Sequence, residues 1–99
     1  MFTCKKCGEP LYIESAELKD RILKMDVACL RGHESVRRLA EHQALGMVPD
    51  LYKRMVVCLE CGSVMTPVTT ESHGQTAVAY FLCPKHGIQK REYPALFVP

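Results

Sequence analysis

The sequence predicts a small metal-stabilised α+β protein: two antiparallel β modules joined by a helical connector. Three observations carry this expectation. All six cysteines and two of the four histidines fall into two quartets, Cys4, Cys7, Cys29 and His33, then Cys58, Cys61, Cys83 and His86. In each half a Cys-x-x-Cys pair is answered, after 21 intervening residues, by a Cys/His pair, so the cysteines repeat with a period of 54. The segments inside each quartet are rich in β-forming residues, whereas the stretch between the quartets has helical spacing.

The quartets are read as metal sites first. A Cys-x-x-Cys-Gly turn sets two thiolates on adjacent arms of a tight loop, and the glycine takes a positive φ that a Cβ would penalise. Thiolate is soft and imidazole borderline, a pairing that suits Zn2+ in a closed tetrahedron, two ions per chain. Cys83-Pro84-Lys85-His86-Gly87 repeats the loop with histidine as its second ligand. The first quartet is less regular, because three residues separate Cys29 from His33 and Gly32 falls opposite His86 at the period of 54. His33 reaches the site if Gly32 lets the loop swing one residue further. The alternative is three cysteines with a different fourth ligand.

Competing chemistries fit less well. A disulfide framework needs an oxidising compartment, and the start Met1-Phe2-Thr3-Cys4-Lys5-Lys6 has no apolar signal core, so a cytoplasmic chain with reduced thiols is expected. A rubredoxin-like iron site wants four cysteines where each half offers three. A thioredoxin-like motif needs a βαβ context. A catalytic zinc keeps an open position, but each quartet closes by itself and no His-Glu-x-x-His pattern occurs, so no enzyme is expected and no catalytic residue is assigned. His42 and His73 are read as ordinary surface residues.

The domain organisation follows: a first module over residues 1–33, a helical connector over 34–57, and a second module with an apolar tail over 58–99. Modules this short bury too little surface to stand alone, and metal supplies the deficit. In the first, Leu11-Tyr12-Ile13 and residues 22–28 read as strands around a polar connection at 14–21 with room for a helical turn. The alternation of Leu23, Met25 and Val27 turns one face inward. In the second, residues 64–70 and 76–82 are strands around a turn at 72–75, with a third strand over 87–93.

In the connector, Val36, Leu39, Ala40 and Gln43-Ala44 follow helical spacing with Gly46 as the stop. Glu34 with Arg38 and Arg37 with Glu41 lie four apart and can pair on its solvated face. After Pro49, Asp50 is placed to cap a second helix through Leu51, Tyr52 and Met55. The connector is too apolar for a flexible tether. It either packs on the modules or exposes a stripe to a partner or a second copy. The tail from Tyr93 to Pro99 lies over the second module, is captured by a partner, or is a free terminus.

Two short antiparallel sheets closed by metal knuckles resemble the zinc ribbon, on Cys4-x-x-Cys7-Gly8, Cys58-x-x-Cys61-Gly62 and Cys83-Pro84-x-His86-Gly87. The resemblance covers about two-thirds of the chain. It implies binding or assembly more than chemistry, since such ribbons recur in transcription factors, polymerase subunits, ribosomal proteins and enzyme appendages. Nucleic-acid-binding ribbons often carry basic or aromatic hairpin tips, and the tip here is His73-Gly74-Gln75.

Charge bears on the partner. The chain has 13 Lys/Arg against 11 Asp/Glu, a formal +2 that counts cysteine as neutral. Six metal-bound thiolates and two zinc ions bring the loaded protein near zero, and the charge is balanced along the chain. No apolar run is long enough to span a membrane. A protein partner is therefore expected, within transcription or translation machinery, with the chain as an adaptor. The alternative is direct DNA or RNA binding through Lys5, Lys6, Arg31, Arg37 and Arg38, with Lys85, Lys90 and Arg91 as a second patch. The oligomeric state is not legible.

Overall fold

Alternation decides the two central strands. Leu23, Met25 and Val27 are buried and alternate with exposed Ile22, Lys24 and Asp26, and Ala77, Ala79, Phe81 and Cys83 are buried in alternation with more exposed residues in the second half. The computed structural model of the chain describes residues 2–97. Its elements are β1 (Tyr12–Lys19), β2 (Ile22–Ala28), β3 (Glu34–Ala40), α1 (Glu41–Gly46), α2 (Val48–Met55), β4 (Thr66–His73), β5 (Thr76–Cys83), β6 (Gly87–Pro94) and a closing 3-10 turn, Ala95–Phe97. They form two antiparallel three-stranded sheets, β1-β2-β3 and β4-β5-β6. The architecture fits a small metal-stabilised α+β class loosely, because the helices are two short segments between the sheets.

The 54-residue period of the cysteines extends to the backbone of both sheets. Tyr12 pairs with Ala28 as Thr66 pairs with Leu82, and Met25 faces Arg37 as Ala79 faces Arg91. The register shifts between Ile13 and Ser15 and again between Pro67 and Thr69, a β-bulge at the same place in each sheet. Even the lone bridges Thr3–Pro10 and Val57–Val64 correspond. The β1–β2 turn differs in one respect: Asp20 and Arg21 both take left-handed φ (52° and 62°), where the β4–β5 turn uses Gly74 (69°). Two positive φ values in a two-residue hairpin match the right-handed strand twist.

Several expectations are corrected. Residues 34–40 form a strand, not the start of a helix, so the connector of 34–57 shrinks to the two helices and their joints. Backbone pairing with β2 along the whole strand wins over a spacing that fitted a helix only locally. The pairing of Glu34 with Arg38 is lost for the same reason, since residues four apart in a strand stand about 13 Å from each other. Residues 14–19 continue β1 instead of making a helical turn. Asp50 lies in the first turn of α2, while Met47 holds the cap position and Pro49 occupies the first turn.

The connector packs. Leu51 and Met55 are fully buried and join Phe2, Leu11, Ile13, Leu23, Met25, Phe81, Tyr93 and Phe97 in one hydrophobic core that runs through both sheets. Strand β1 meets β6, and α2 lies against β1 and the closing turn. The tail also packs: Phe97 is buried and stacks on Tyr93 with ring centroids 5.8 Å apart. Its last two residues, Val98 and Pro99, lie outside the described residues.

Two arginines tie the halves together. Arg91, 6 % exposed, donates from Nη1 to the Ile13 carbonyl at 3.0 Å and from Nη2 to the Val57 carbonyl at 3.2 Å. Arg54 donates to the Leu11 carbonyl at 2.6 Å and stacks over the Phe2 ring at 5.0 Å. Among the described residues no helix is long and apolar enough to cross a membrane.

Candidate metal centres

Each centre is built from two loops that the strands hold face to face. In the first loop of each half the Gly8 amide donates to the Cys4 carbonyl (2.8 Å) and the Gly62 amide to the Cys58 carbonyl (2.7 Å). Gly8 and Gly62 take φ of 76° and 74°, the turn that aims both thiols of Cys-x-x-Cys the same way. The opposing loop is the hairpin between β2 and β3, or between β5 and β6.

These hairpins contradict one detail of the expected geometry. The loop bearing His33 is no longer than the loop bearing His86, because Ala28 faces Glu34 just as Leu82 faces Ile88. The histidine moves by one position within a loop of fixed span, and the left-handed glycine moves to its other side. Gly32 precedes His33 with φ 91°, whereas Gly87 follows His86 with φ 76°.

Both histidines turn Nδ1 inward. Nδ1 of His33 is 3.4 Å from Cys4 Sγ and 3.5 Å from Cys29 Sγ, and Cys7 Sγ is 3.7 Å from Cys29 Sγ. Nδ1 of His86 is 3.5 Å from Cys58 Sγ and 3.6 Å from Cys83 Sγ, with Cys61 Sγ 3.5 Å from Cys83 Sγ. In each quartet all four donor atoms lie within 4.8 Å of one another. Zinc bonds of about 2.3 Å to sulfur and 2.0–2.1 Å to nitrogen give tetrahedron edges of roughly 3.8 Å between sulfurs and 3.6 Å between sulfur and nitrogen. The three edges given for each quartet are close to those of a four-ligand tetrahedron. The six thiols are unbridged.

The loops favour the anion at three of the sulfurs, Cys4, Cys58 and Cys61, and disfavour it at Cys7 and Cys83. Burial pushes the Cys4 thiol up, but the amides of Lys6 and Cys7 and the His33 ring outweigh it and bring the thiol down to about 6. The hydroxyl and amide of Ser63 lead in lowering Cys61 to about 7. Burial opposes ionisation of Cys58, and the Cys61 and Glu60 amides with the Gln89 side chain overcome it. Burial and the neighbouring sulfurs of Cys61 and Cys58 hold Cys83 above the usual thiol value. Cys7 is also raised: the Glu9 amide pulls it down, but burial and the sulfurs of Cys4 and Cys29 push harder.

Outside the ligands the second centre is better supported. Glu60 Oε2 stands 3.1 Å from His86 Nε2, and Gln89 donates to Cys58 Sγ at 3.2 Å. Sequence reading missed Glu60, Ser63 and Gln89. Comparing the halves residue by residue shows the signal for them, since Lys6, Glu9 and Ser35 stand at the corresponding places.

The basic residues considered for nucleic acid scatter. Lys5, Lys6 and Arg37 gather beside the first centre, where they line a pocket of about 260 Å³ with Ser35 and Val36. Arg31 pairs with Glu9 at 4.0 Å, and Lys90 with Glu92 at 3.6 Å. Arg38 faces Lys24 across the sheet, and Lys85 is exposed on the second knuckle. Arg91 is withdrawn from the surface altogether, a correction that follows from its two buried carbonyl bonds. His42 is exposed on α1, and His73 is exposed 3.5 Å from Glu71.

No protein-family model matches this chain, and neither a curated protein nor a solved structure matches it.

Proposed function

We propose that the chain is a tandem zinc-ribbon protein that acts as a non-enzymatic adaptor, binding a protein partner through the outer face of its second sheet. Three thiolates and an imidazole at tetrahedral spacing favour zinc, and four protein ligands leave no position open for substrate. Zinc in such sites cross-links loops that the small sheets could not hold by packing alone. A reducing compartment such as the cytoplasm suits six thiols committed to metal.

The single observation behind the adaptor role is a set of exposed aliphatic residues on the second sheet whose counterparts in the first are not large aliphatics. Leu82 and Ile88 are neighbours in register on β5 and β6, 43 % and 57 % exposed. Val64 and Val68, leading into and through β4, are 70 % and 54 % exposed. The corresponding residues of the first half are Ala28, Glu34, Pro10 and Glu14. Adjacent exposed aliphatic residues of this kind mark docking surfaces.

The test is a photo-crosslinking residue at position 88 in the cells that make the protein, followed by titration of the captured partner with purified protein. The reading requires affinity that falls at least tenfold in Ile88→Glu with both metals retained, and that changes little with salt. Binding with a steep salt dependence would transfer the role to nucleic acid, the second reading, supported by Lys5, Lys6 and Arg37.

A further inference from the structure

We infer that the pocket beside the first metal centre is an oxyanion site, built to hold a phosphate-class group. It stands apart from the apolar face of the second sheet and goes beyond the adaptor reading. The pocket is lined by Cys4, Lys5, Lys6, His33, Glu34, Ser35, Val36 and Arg37, and its volume of about 260 Å³ suits a small anionic group.

Three features converge on it. The Cys4-x-x-Cys7 loop carries Lys5 and Lys6, both exposed, at the mouth. Arg37 approaches from β3 and is anchored by one bond, Nη2 to the Thr3 carbonyl at 3.2 Å, while its Nε is buried with no partner. A half-anchored guanidinium is a preorganised fork for a tetrahedral oxyanion. Ser35 adds a hydroxyl to the wall.

The second half shows what the same fold looks like without this function. Arg91 corresponds to Arg37 and makes the corresponding bond to Val57, but its other nitrogen is spent on Ile13. Leu59 and Glu60 replace Lys5 and Lys6, and Glu60 is turned onto His86. The arginine that is buried and spent on backbone carbonyls in the second half has a counterpart here that is left open beside two lysines, against Glu34 and the net negative charge of a Cys3His zinc centre.

The experiment is a titration of the zinc-loaded protein with inorganic phosphate, pyrophosphate and a short single-stranded DNA, read by amide and arginine Nε resonances. Saturable shifts centred on Lys5, Lys6 and Arg37 are expected. In Lys6→Glu, which installs the residue of the second half, binding should weaken roughly tenfold while native mass spectrometry still counts two zinc ions. Lys5→Leu should weaken it in the same direction without adding a negative charge. Saturation by phosphate or pyrophosphate assigns a small-anion pocket, and saturation by DNA alone assigns the phosphate of a nucleic-acid backbone. Shifts that never saturate, or that persist unchanged in both variants, overturn the site.

Discussion

The two Cys3His centres use the same ligand types, the same histidine nitrogen and loops of the same span, yet they are finished differently. In the second, Glu60 holds the far side of His86, Gln89 donates to Cys58, and Ser63 favours the Cys61 thiolate. In the first, Lys6 stands where Glu60 would be, and the space beside the knuckle is lined by lysines and Arg37. A carboxylate on a ligating imidazole fixes the ring and raises its basicity. The difference suggests a division of labour: one centre made to hold its metal, the other made to present charge.

Metal removal should break this comparison most strongly. Small zinc modules draw about 10–16 kcal/mol of folding free energy from their metal. During chelator titration, native mass spectrometry should show a one-metal species with the second quartet still filled, and removal of both ions should abolish the near-native circular dichroism. If the first quartet retains metal longer, the supporting residues around the second do not act as argued. The next effect is mechanical. Arg91→Ala leaves two buried carbonyls unpaired and should cost roughly 2–4 kcal/mol in denaturant unfolding, against about 1 kcal/mol for the corresponding Arg37→Ala.

A finer test exchanges the residue between the cysteines. Glu60→Gln should weaken metal binding at the second centre by roughly 10–100-fold in competition with a chromophoric chelator. The same change should leave the first centre as it was.

The smallest effect concerns Glu14. Burial, then the charge of Glu34 and also that of Asp26, raise its carboxyl above the usual range despite the opposing Arg91. Its contribution to stability is therefore present below the ordinary carboxylate pKa and is lost as pH rises through the raised value. Glu14→Gln should raise Tm at pH 7 by no more than about 4 °C and have no such benefit at pH 3.

What could be read from the residues themselves was the chemistry that has few substitutes. A quartet of three thiols and an imidazole has little else to be, and alternating Leu23, Met25 and Val27 can bury one face only as a strand. Residues 34–40 were harder, because Val36, Leu39 and Ala40 satisfy a helical period over so short a span and the force that makes them a strand is pairing with β2. The repeat itself held the correction. The same stretch shifted by 54 residues is 88–94, within which a third strand over 87–93 is expected, and the quartets establish the period. The two tying arginines were hidden for another reason: Arg54 and Arg91 owe their roles to carbonyls 43 and 78 residues away, which no local pattern encodes.

Those separations also set an order in time. Each Cys/His hairpin closes over a short loop and can capture its ion early, while the Arg91–Ile13 bond must wait until ends of the chain 78 residues apart have met. Folding should therefore proceed as two quick metal-trapping events followed by one slower docking step. A chain with Arg91 replaced would complete the first two on schedule and stall at the third, leaving two loaded knuckles on a molecule that has not yet closed.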